Sequence, residues 1–486
     1  MTPPRPSLSR LILLAVLACT ASWSQAQNRV LPTLAVAPPT LHWVSSTPAD
    51  PWKELTVSVL PQSSGSEPNT VKLDPQTVYQ SIDGFGGCFN ELGWTALQAL
   101  DSTQQAIALQ ALFAPSGCNF NLCRVGIGAN DFALDWYSLD ESPGDFAMAN
   151  FTIERDRKNL IPYIKAAMQY QPKLAVWGVP WCPPSWMTTS GKYFGGHMKD
   201  DPPILAAYAL YFSKYVQAYR QAGINLYAIH PQNEPLYFDS QYHYPQCAWS
   251  GAEINTFLRD YLVPQLKKDH VDVQVWLGTM VSGKLAVFTD PVLGDAVTNP
   301  SISGVGYQYG GQGAMLATHQ KYPDKKMLQT ETECYHGENS WTQSLTTFRK
   351  MIEDVNNFAN GYDFWNMILS EKSTSSWGWK QNSLLTLNAT TKTITYNPEF
   401  YSLKHFGHFV QPGASRIGWS TTASDQTASP FTNHNFAAFR NPAGDLVVVC
   451  ANPGNTTLPL ALQAGSHITH VNLPALSMNT LVLTGW

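Results

Sequence analysis

The sequence predicts an α/β protein: a (β/α)8 TIM barrel with a side β-sandwich domain formed by the C-terminus plus N-terminal strands. Three observations predict it. From about residue 76, short apolar runs alternate with stretches that carry apolar residues at helical spacing, in about the number and length of a (β/α)8 barrel. From about residue 414 the helical spacing stops, and "FAAFRNPAGDLVVVCANPGNTTLPLAL" reads as strands joined by Gly, Pro and Asn turns. A sandwich of ~70 residues is marginal alone, and the segment 27–75 has β-type runs such as "ELTVSVL" (Glu54 to Leu60) to complete it. The expected organisation is therefore a signal peptide over 1–26, N-terminal sandwich strands over 27–75, the barrel over 76–413 and the C-terminal sandwich over 414–486.

Each element has its own signal. Arg5 and Arg10 precede the apolar run Leu11 to Ala18, and "SQA" (Ser24 to Ala26) is a small-residue cleavage site, so the chain is expected to be exported, to a periplasm or the extracellular space. That run is too short to span a bilayer, and no other stretch approaches ~20 apolar residues, so no transmembrane segment is expected. "VLAC" (Val16 to Cys19) faintly resembles a lipoprotein box, but Leu17 is uncommon there. In the barrel, "CNFNLCRVGIG" leads to a helix over 154–170 and "KLAVWGVP" to a helix over 203–223, stopped by Gly223. "INLYAI" (Ile224 to Ile229) leads to a helix over 251–269. The later strand candidates are 272–278, 302–309, 325–332 and 361–369.

Composition narrows the function. Of 486 residues, 44% are hydrophobic, enough for a large core. Only 13% are charged and the net charge is −5, which does not suit a nucleic-acid partner. The 16 Trp and 21 Tyr suit packing and also stacking on sugar faces. Cys19 of the 8 cysteines falls in the leader, leaving Cys88, Cys118, Cys123, Cys182, Cys247, Cys334 and Cys450. An odd number leaves at least one free thiol. Cys118 and Cys123 are near enough in sequence to bridge, and no CxxC or zinc spacing occurs.

Two carboxylates carry the chemistry. In "IHPQNEPLYF" Glu234 follows a short apolar strand bounded by Pro231 and Pro235, which places it at a strand's C-terminal end, the rim where barrels build sites. In "KKMLQTETECYHGENSW" Glu331 ends another apolar strand, three strand candidates later, so the two face each other across the barrel mouth. Two opposed carboxylates are what retaining glycoside hydrolysis requires, one as nucleophile and one as acid/base. Glu333 competes for the nucleophile role because strand alternation puts it on the same side as Glu331; Glu331 lies nearer the strand proper. Asn233 is placed to bond a sugar 2-hydroxyl. Asp131, Trp181, Tyr309, Trp365, Trp377 and Trp379 cluster at other predicted strand ends and would present ring faces and polar groups to a saccharide.

The chain resembles glycoside hydrolase family 30, the group that includes glucosylceramidases and β-1,6-glucanases. The residues that carry the resemblance are "IDGFGGCFNE" (82–91), "RVGIGANDF" (124–132), "VPWCPPSWMTT" (from 179), "QNEP" (232–235), "YPQCAWSG" (244–251), "LQTE" (328–331), "FWNM" (364–367) and "FYSLKHFGHFVQPGASRIG" (400–418). They run in family order from about residue 76 to the C-terminus. The resemblance implies a retaining mechanism on a β-linked glucoside, glycolipid or glucan. It implies Glu234 as acid/base, Glu331 as nucleophile, and Asp131, Trp181, Asn233 and Trp365 around the −1 sugar. Where the glucosylceramidase type has a His in a "HWY"-like stretch, this chain reads "YQYGG", with Gln308 and Tyr309 as substrate-side candidates. A neutral amide there cannot titrate.

Other classes fit less well. A barrel that binds carbohydrate without cleaving it would not need the pair Glu234 and Glu331. A metal-dependent hydrolase would draw on His230, His243 and His336, but no HxH or HExxH spacing is present, and neither a metal nor another cofactor is expected. No basic amphipathic helix marks a membrane contact.

Overall fold

The computed structural model describes residues 39–57, 60–61, 69–235, 243–332, 334–421 and 429–486. The expected leader and the "VLAC" box lie outside the described residues, as does Glu333. Eight parallel strands close into a barrel: β1 (Gly84–Phe89), β2 (Leu122–Gly126), β3 (Ala175–Val179), β4 (Leu226–Ile229), β5 (Gln274–Met280), β6 (Ile302–Gln308), β7 (Lys326–Glu331) and β8 (Gly361–Asn366). Each strand pairs with its neighbour in sequence, and β8 pairs with β1, with Tyr362 beside Phe85. Crossover helices shield the outside, and no described helix is long and apolar enough to cross a membrane.

The expected strands form with small shifts at their ends. β1 carries no strand signal in the sequence, because glycine has poor β-propensity. Packing explains it. A Cβ on Gly84 would meet the Asn121 side-chain oxygen at 1.9 Å, and one on Gly86 would meet the Leu122 carbonyl at 1.7 Å. Only glycine lets β1 approach β2 this closely.

Two helices depart from expectation. The stretch 154–170 is helical only over Leu160–Met168. Before it the chain turns so that Arg155 reaches Glu91, its Nε donating to Oε1 at 2.9 Å, and Asn159 Nδ2 donates to the same oxygen at 2.9 Å. Buried Glu91 thus gains partners that a continued helix would deny it. The stretch 251–269 is helical throughout, but Phe257–Leu262 adopts the wider π register. Pro264 has no N–H to return to the carbonyl of residue 260, so the ordinary ladder is interrupted there.

The β-sandwich strands come from both ends of the chain. Thr40–Ser46 pairs antiparallel with Ser477–Thr484, and Thr70–Ser81 pairs with Ser415–Thr421. Their apolar faces bury Val71, Ile417, Phe436, Val448 and Leu481 in a core of their own. Helix Pro398–Gly407 packs against this layer through His405, whose ring nitrogens each lie 2.9 Å from a hydroxyl, Thr480 Oγ1 and Ser46 Oγ. Burial pushes that imidazole down to about 3, so it stays neutral. All seven described cysteines are buried and free. Cys118 and Cys123 do not bridge: Cys118 Sγ lies 3.8 Å from the Phe400 carbonyl, and Cys123 is held within β2.

Candidate active site

A cavity of about 480 Å³ opens at the C-terminal rim, lined by Asp131, Trp181, Asn233, Glu234, Tyr309, Glu331 and Trp377, with Tyr244, Trp379, Gln381 and His336 further round. They come from the ends of β2, β3, β4, β6, β7 and β8, so the rim gathers side chains that are distant in sequence. Glu331 is the last residue of β7 and is 6% exposed. Glu234 sits five residues past β4 in a left-handed backbone conformation, φ 45°. Non-glycine residues adopt this region at a cost of about 1–3 kcal/mol, so the surroundings must hold it. They do: Glu234 N–H donates to the Thr279 carbonyl at 3.1 Å and Asn233 N–H to the Pro180 carbonyl at 2.8 Å. Tyr309, also left-handed at φ 47°, is tied to β7 by its hydroxyl, which donates to Glu331 Oε1 at 2.7 Å.

The two glutamates have different surroundings. Glu331 takes one donor on each oxygen: Arg124 donates to Oε2 at 2.6 Å and the Tyr309 hydroxyl to Oε1 at 2.7 Å. Burial pushes its carboxyl up; the Arg124 guanidinium and the Tyr309 hydroxyl pull it back. Among the described residues, Glu234 has no cation in contact. Its Oε1 accepts from the neutral Gln308 amide at 2.7 Å. Burial first, and the Glu331 charge second, push its carboxyl up to about 7. Of the pair, Glu331 is therefore the one that stays ionised and Glu234 the one that holds a proton. Asp131 is also pushed well above the usual carboxylate range, by burial and then by Glu331.

Arg124 organises the site, and sequence reading missed it. It is fully buried in β2. Its second amino group donates to Asn233 Oδ1 at 2.5 Å, and Thr279 Oγ1 donates to the same oxygen at 2.8 Å. With its oxygen so occupied, Asn233 turns its amide N–H groups elsewhere, as donors. Three indoles surround the guanidinium, with ring centres 4.3 Å (Trp181), 5.1 Å (Trp177) and 5.3 Å (Trp365) away. The available signal was a lone arginine inside the apolar run "NLCRVG".

The structure brings most of the expected residues together and sets two apart. Gln308 and Trp365 are fully buried and do not line the cavity. Gln308 acts on Glu234 through its hydrogen bond, and Trp365 packs behind Trp181 with ring centres 5.1 Å apart and planes tilted by 33°. Tyr244, given no role in the sequence reading, stacks on Trp377 at 5.8 Å, and Trp377 meets Trp379 at 5.0 Å, which builds an aromatic outer wall. His336 accepts from Trp379 Nε1 at 3.0 Å. His230 lies buried between Trp177 and Trp276, and His243 stacks on Phe194, so the three histidines are apart.

Residues 82–410 match the glycosyl hydrolase family 30 TIM-barrel domain, and residues 413–481 match the glycosyl hydrolase family 30 beta sandwich domain. The chain belongs to glycoside hydrolase family 30. It is 28% identical to putative glucosylceramidase 1 of Caenorhabditis elegans, over 85% of this chain and 82% of that protein. It is 26% identical to the endo-1,6-beta-D-glucanase of Neurospora crassa, over 84% of this chain and 86% of that protein. Among solved structures, SrfJ from Salmonella typhimurium superposes with a TM-score of 0.83 at 24% identity, covering 91% of this chain and 99% of that one, and so shares the fold. A family 30 barrel with this cavity is a glycoside hydrolase, and its substrate is a glycoside or glycan.

Proposed function

We propose that this protein is an exported retaining β-glycoside hydrolase, a glucosylceramidase-like β-glucosidase that works by double displacement. The observation that carries the reading is the unequal pair in one cavity: Glu331 tied to Arg124, and Glu234 without a cation and pushed up to about 7. Glu331 attacks the anomeric carbon from one face. Glu234 gives its proton to the leaving oxygen from the other. The glycosyl–Glu331 ester is then opened by a water that Glu234, now ionised, deprotonates. The Asn233 amide donates to the 2-hydroxyl, and Trp181 and Asp131 hold the −1 sugar. The Tyr244, Trp377 and Trp379 wall faces the leaving group. A wall of rings accepts an apolar aglycone or a second sugar alike, so an endo-β-1,6-glucanase is the second reading.

Hydrolysis of a panel tests both: an aryl β-glucoside, an aryl β-xyloside, glucosylceramide in detergent, and β-1,6-glucan, with product anomers read by NMR. A β-anomer as first product from a glucoside supports retention. An α-anomer first would overturn it. Release of oligosaccharides from β-1,6-glucan, with no action on glucosylceramide, would favour the second reading.

Two predictions follow from Glu234. The productive form is protonated Glu234, and protonation is lost as pH rises through its folded value. The basic limb of kcat/KM should therefore bend at about 7 and fall about tenfold per pH unit above it, and Glu234→Gln should erase that limb. Glu234→Ala should lose about 10²–10⁴-fold on an alkyl β-glucoside yet keep most of its glycosylation rate on a dinitrophenyl β-glucoside, whose leaving group needs no proton. Equal losses on both substrates would remove Glu234 from the acid role.

A further inference from the structure

We propose that Gln381 is a substrate-binding residue that donates a hydrogen bond to the oxygen on carbon 6 of a hexose in the −1 position. The hexose rests on the function proposed above; the direction in which the amide points does not. Gln381 lies in the loop after β8 and lines the catalytic cavity. Two backbone bonds hold that loop between the rims of β2 and β7. Ser376 N–H donates to the Asp131 carbonyl at 2.7 Å, and Asn382 N–H donates to the Cys334 carbonyl at 2.8 Å.

An amide side chain can present either end, and here a chain of three amides fixes which. It starts at a group that can only donate. The Gly93 backbone N–H gives its hydrogen to Asn90 Oδ1 at 2.7 Å, where Asn90 caps the helix Glu91–Gln98. Asn90 therefore turns Nδ2 the other way, and it donates to Asn366 Oδ1 at 3.0 Å. Asn366 in turn donates from Nδ2 to Gln381 Oε1 at 3.1 Å. A second fixed point agrees: Asn366 Nδ2 also lies 3.4 Å from the Asn382 carbonyl, which can only accept. Gln381 Oε1 is thus taken, and Nε2 is left for the cavity. Nε2 has no partner among the described residues, and unlike the sealed indole nitrogen of Trp365 it keeps accessible surface. Gln381 as a whole is 6% exposed, so a ligand that displaced water without offering an acceptor would leave these N–H groups unsatisfied.

The order of strands places the partner. Round the rim they run β4, β3, β2, β1, β8. Asn233 after β4 takes the 2-hydroxyl, and Trp181 after β3 and Asp131 after β2 flank the next two ring positions. Carbon 5 and its substituent then fall to β8, where Gln381 stands. The wall suits a neutral oxygen there. Among the described residues no lysine or arginine lines the cavity, while Asp131, Glu234 and Glu331 do, so a carboxylate on carbon 5 would meet like charges and no free cation. A pentose would leave the donors with nothing. A donor also serves both substrate readings. A free 6-hydroxyl and the 6-oxygen of a 1,6-linked glucan each accept, whereas an acceptor in this place would suit the free hydroxyl alone.

Three aryl β-glycosides with one leaving group test the assignment: the glucoside, its 6-deoxy analogue and the xyloside. Wild type should prefer the glucoside to the other two by about 10–100-fold in kcat/KM. Gln381→Leu should lose about that factor on the glucoside and stay within about twofold of wild type on the others. Equal loss on all three would make Gln381 a prop for the loop, and no loss on any would take it out of the site; either result overturns the proposal. A melting curve accompanies the variant, and Gln381→Met replaces it if Gln381→Leu unfolds. Calorimetry with a glucose-configured iminosugar and its analogue lacking the hydroxymethyl group needs no turnover. Wild type should bind the first at least about tenfold more tightly, and Gln381→Leu should bind the two alike. No preference in wild type overturns the proposal and leaves a cleaved glucoside standing. If wild type cleaves none of the three glycosides, the proposed activity falls and the binding arm still decides Gln381.

Discussion

Glu331→Ala should lower kcat by about 10⁴-fold or more, ~5.5 kcal/mol at 1.36 kcal/mol per tenfold, and sodium azide should restore turnover with an α-glycosyl azide as product. The first half follows from removing the atom that forms the covalent bond. The second follows from what stays behind. Burial, the larger cause, still holds the Glu234 carboxyl up although the Glu331 charge is gone, and the space vacated by the Glu331 carboxylate lies beside Arg124, which attracts a small anion. Azide attacks from the nucleophile's face, and with no second displacement the product keeps the inverted, α configuration. Glu333→Ala is the control and should retain activity with no azide effect. Activity that survives in Glu331→Ala and disappears in Glu333→Ala would move the nucleophile two residues on.

The barrel and the carboxylate pair were legible because both are written locally. β4, β6, β7 and β8 are apolar runs with clear stops; Glu331 ends β7 and Glu234 lies five residues past β4. What was not legible depends on contacts between segments. β1 is a strand because Gly84 and Gly86 permit close approach to Asn121 and Leu122, a reason that exists only once β1 and β2 are paired. The late start of the helix at Leu160 depends on Glu91, more than sixty residues upstream, needing Arg155 and Asn159. At the site, sequence gave every ring near a strand end the same weight. The fold then separated Trp181 and Trp377, which face the cavity, from Trp365, which supports Trp181 from behind. Tyr244 joined the wall by stacking on Trp377 across more than a hundred residues of chain. Arg124 is the sharpest case. A charge inside an apolar strand contradicts the local pattern, and such contradictions mark functional positions.

Arg124→Leu should raise the acid limb of the pH profile, lower kcat by about 10²–10³-fold and destabilise the fold by about 3–5 kcal/mol. The three effects have one origin. Arg124 is fully buried and is the cation in contact with Glu331, which is itself 6% exposed. Without it the Glu331 carboxylate is buried with neutral donors for support, the Tyr309 hydroxyl and Gln308. Its ionised form is then penalised, its protonation point moves up, and the pH below which nucleophile is lost moves up with it. Glu234 responds the same way. Arg124 also holds the Glu234 carboxyl down, so its loss should move the basic limb upward too, and the active window should shift to higher pH. Arg124→Lys keeps a charge but cannot bridge Glu331 and Asn233 with two parallel donors, so it should restore much of the pH window while leaving kcat depressed. A purely structural role would behave differently. Melting temperature would fall, but both limbs would stay where the wild type has them, and Arg124→Lys would recover kcat as fully as it recovered stability. That pattern would reduce Arg124 to a core filler and leave the ionisation of Glu331 without its main support.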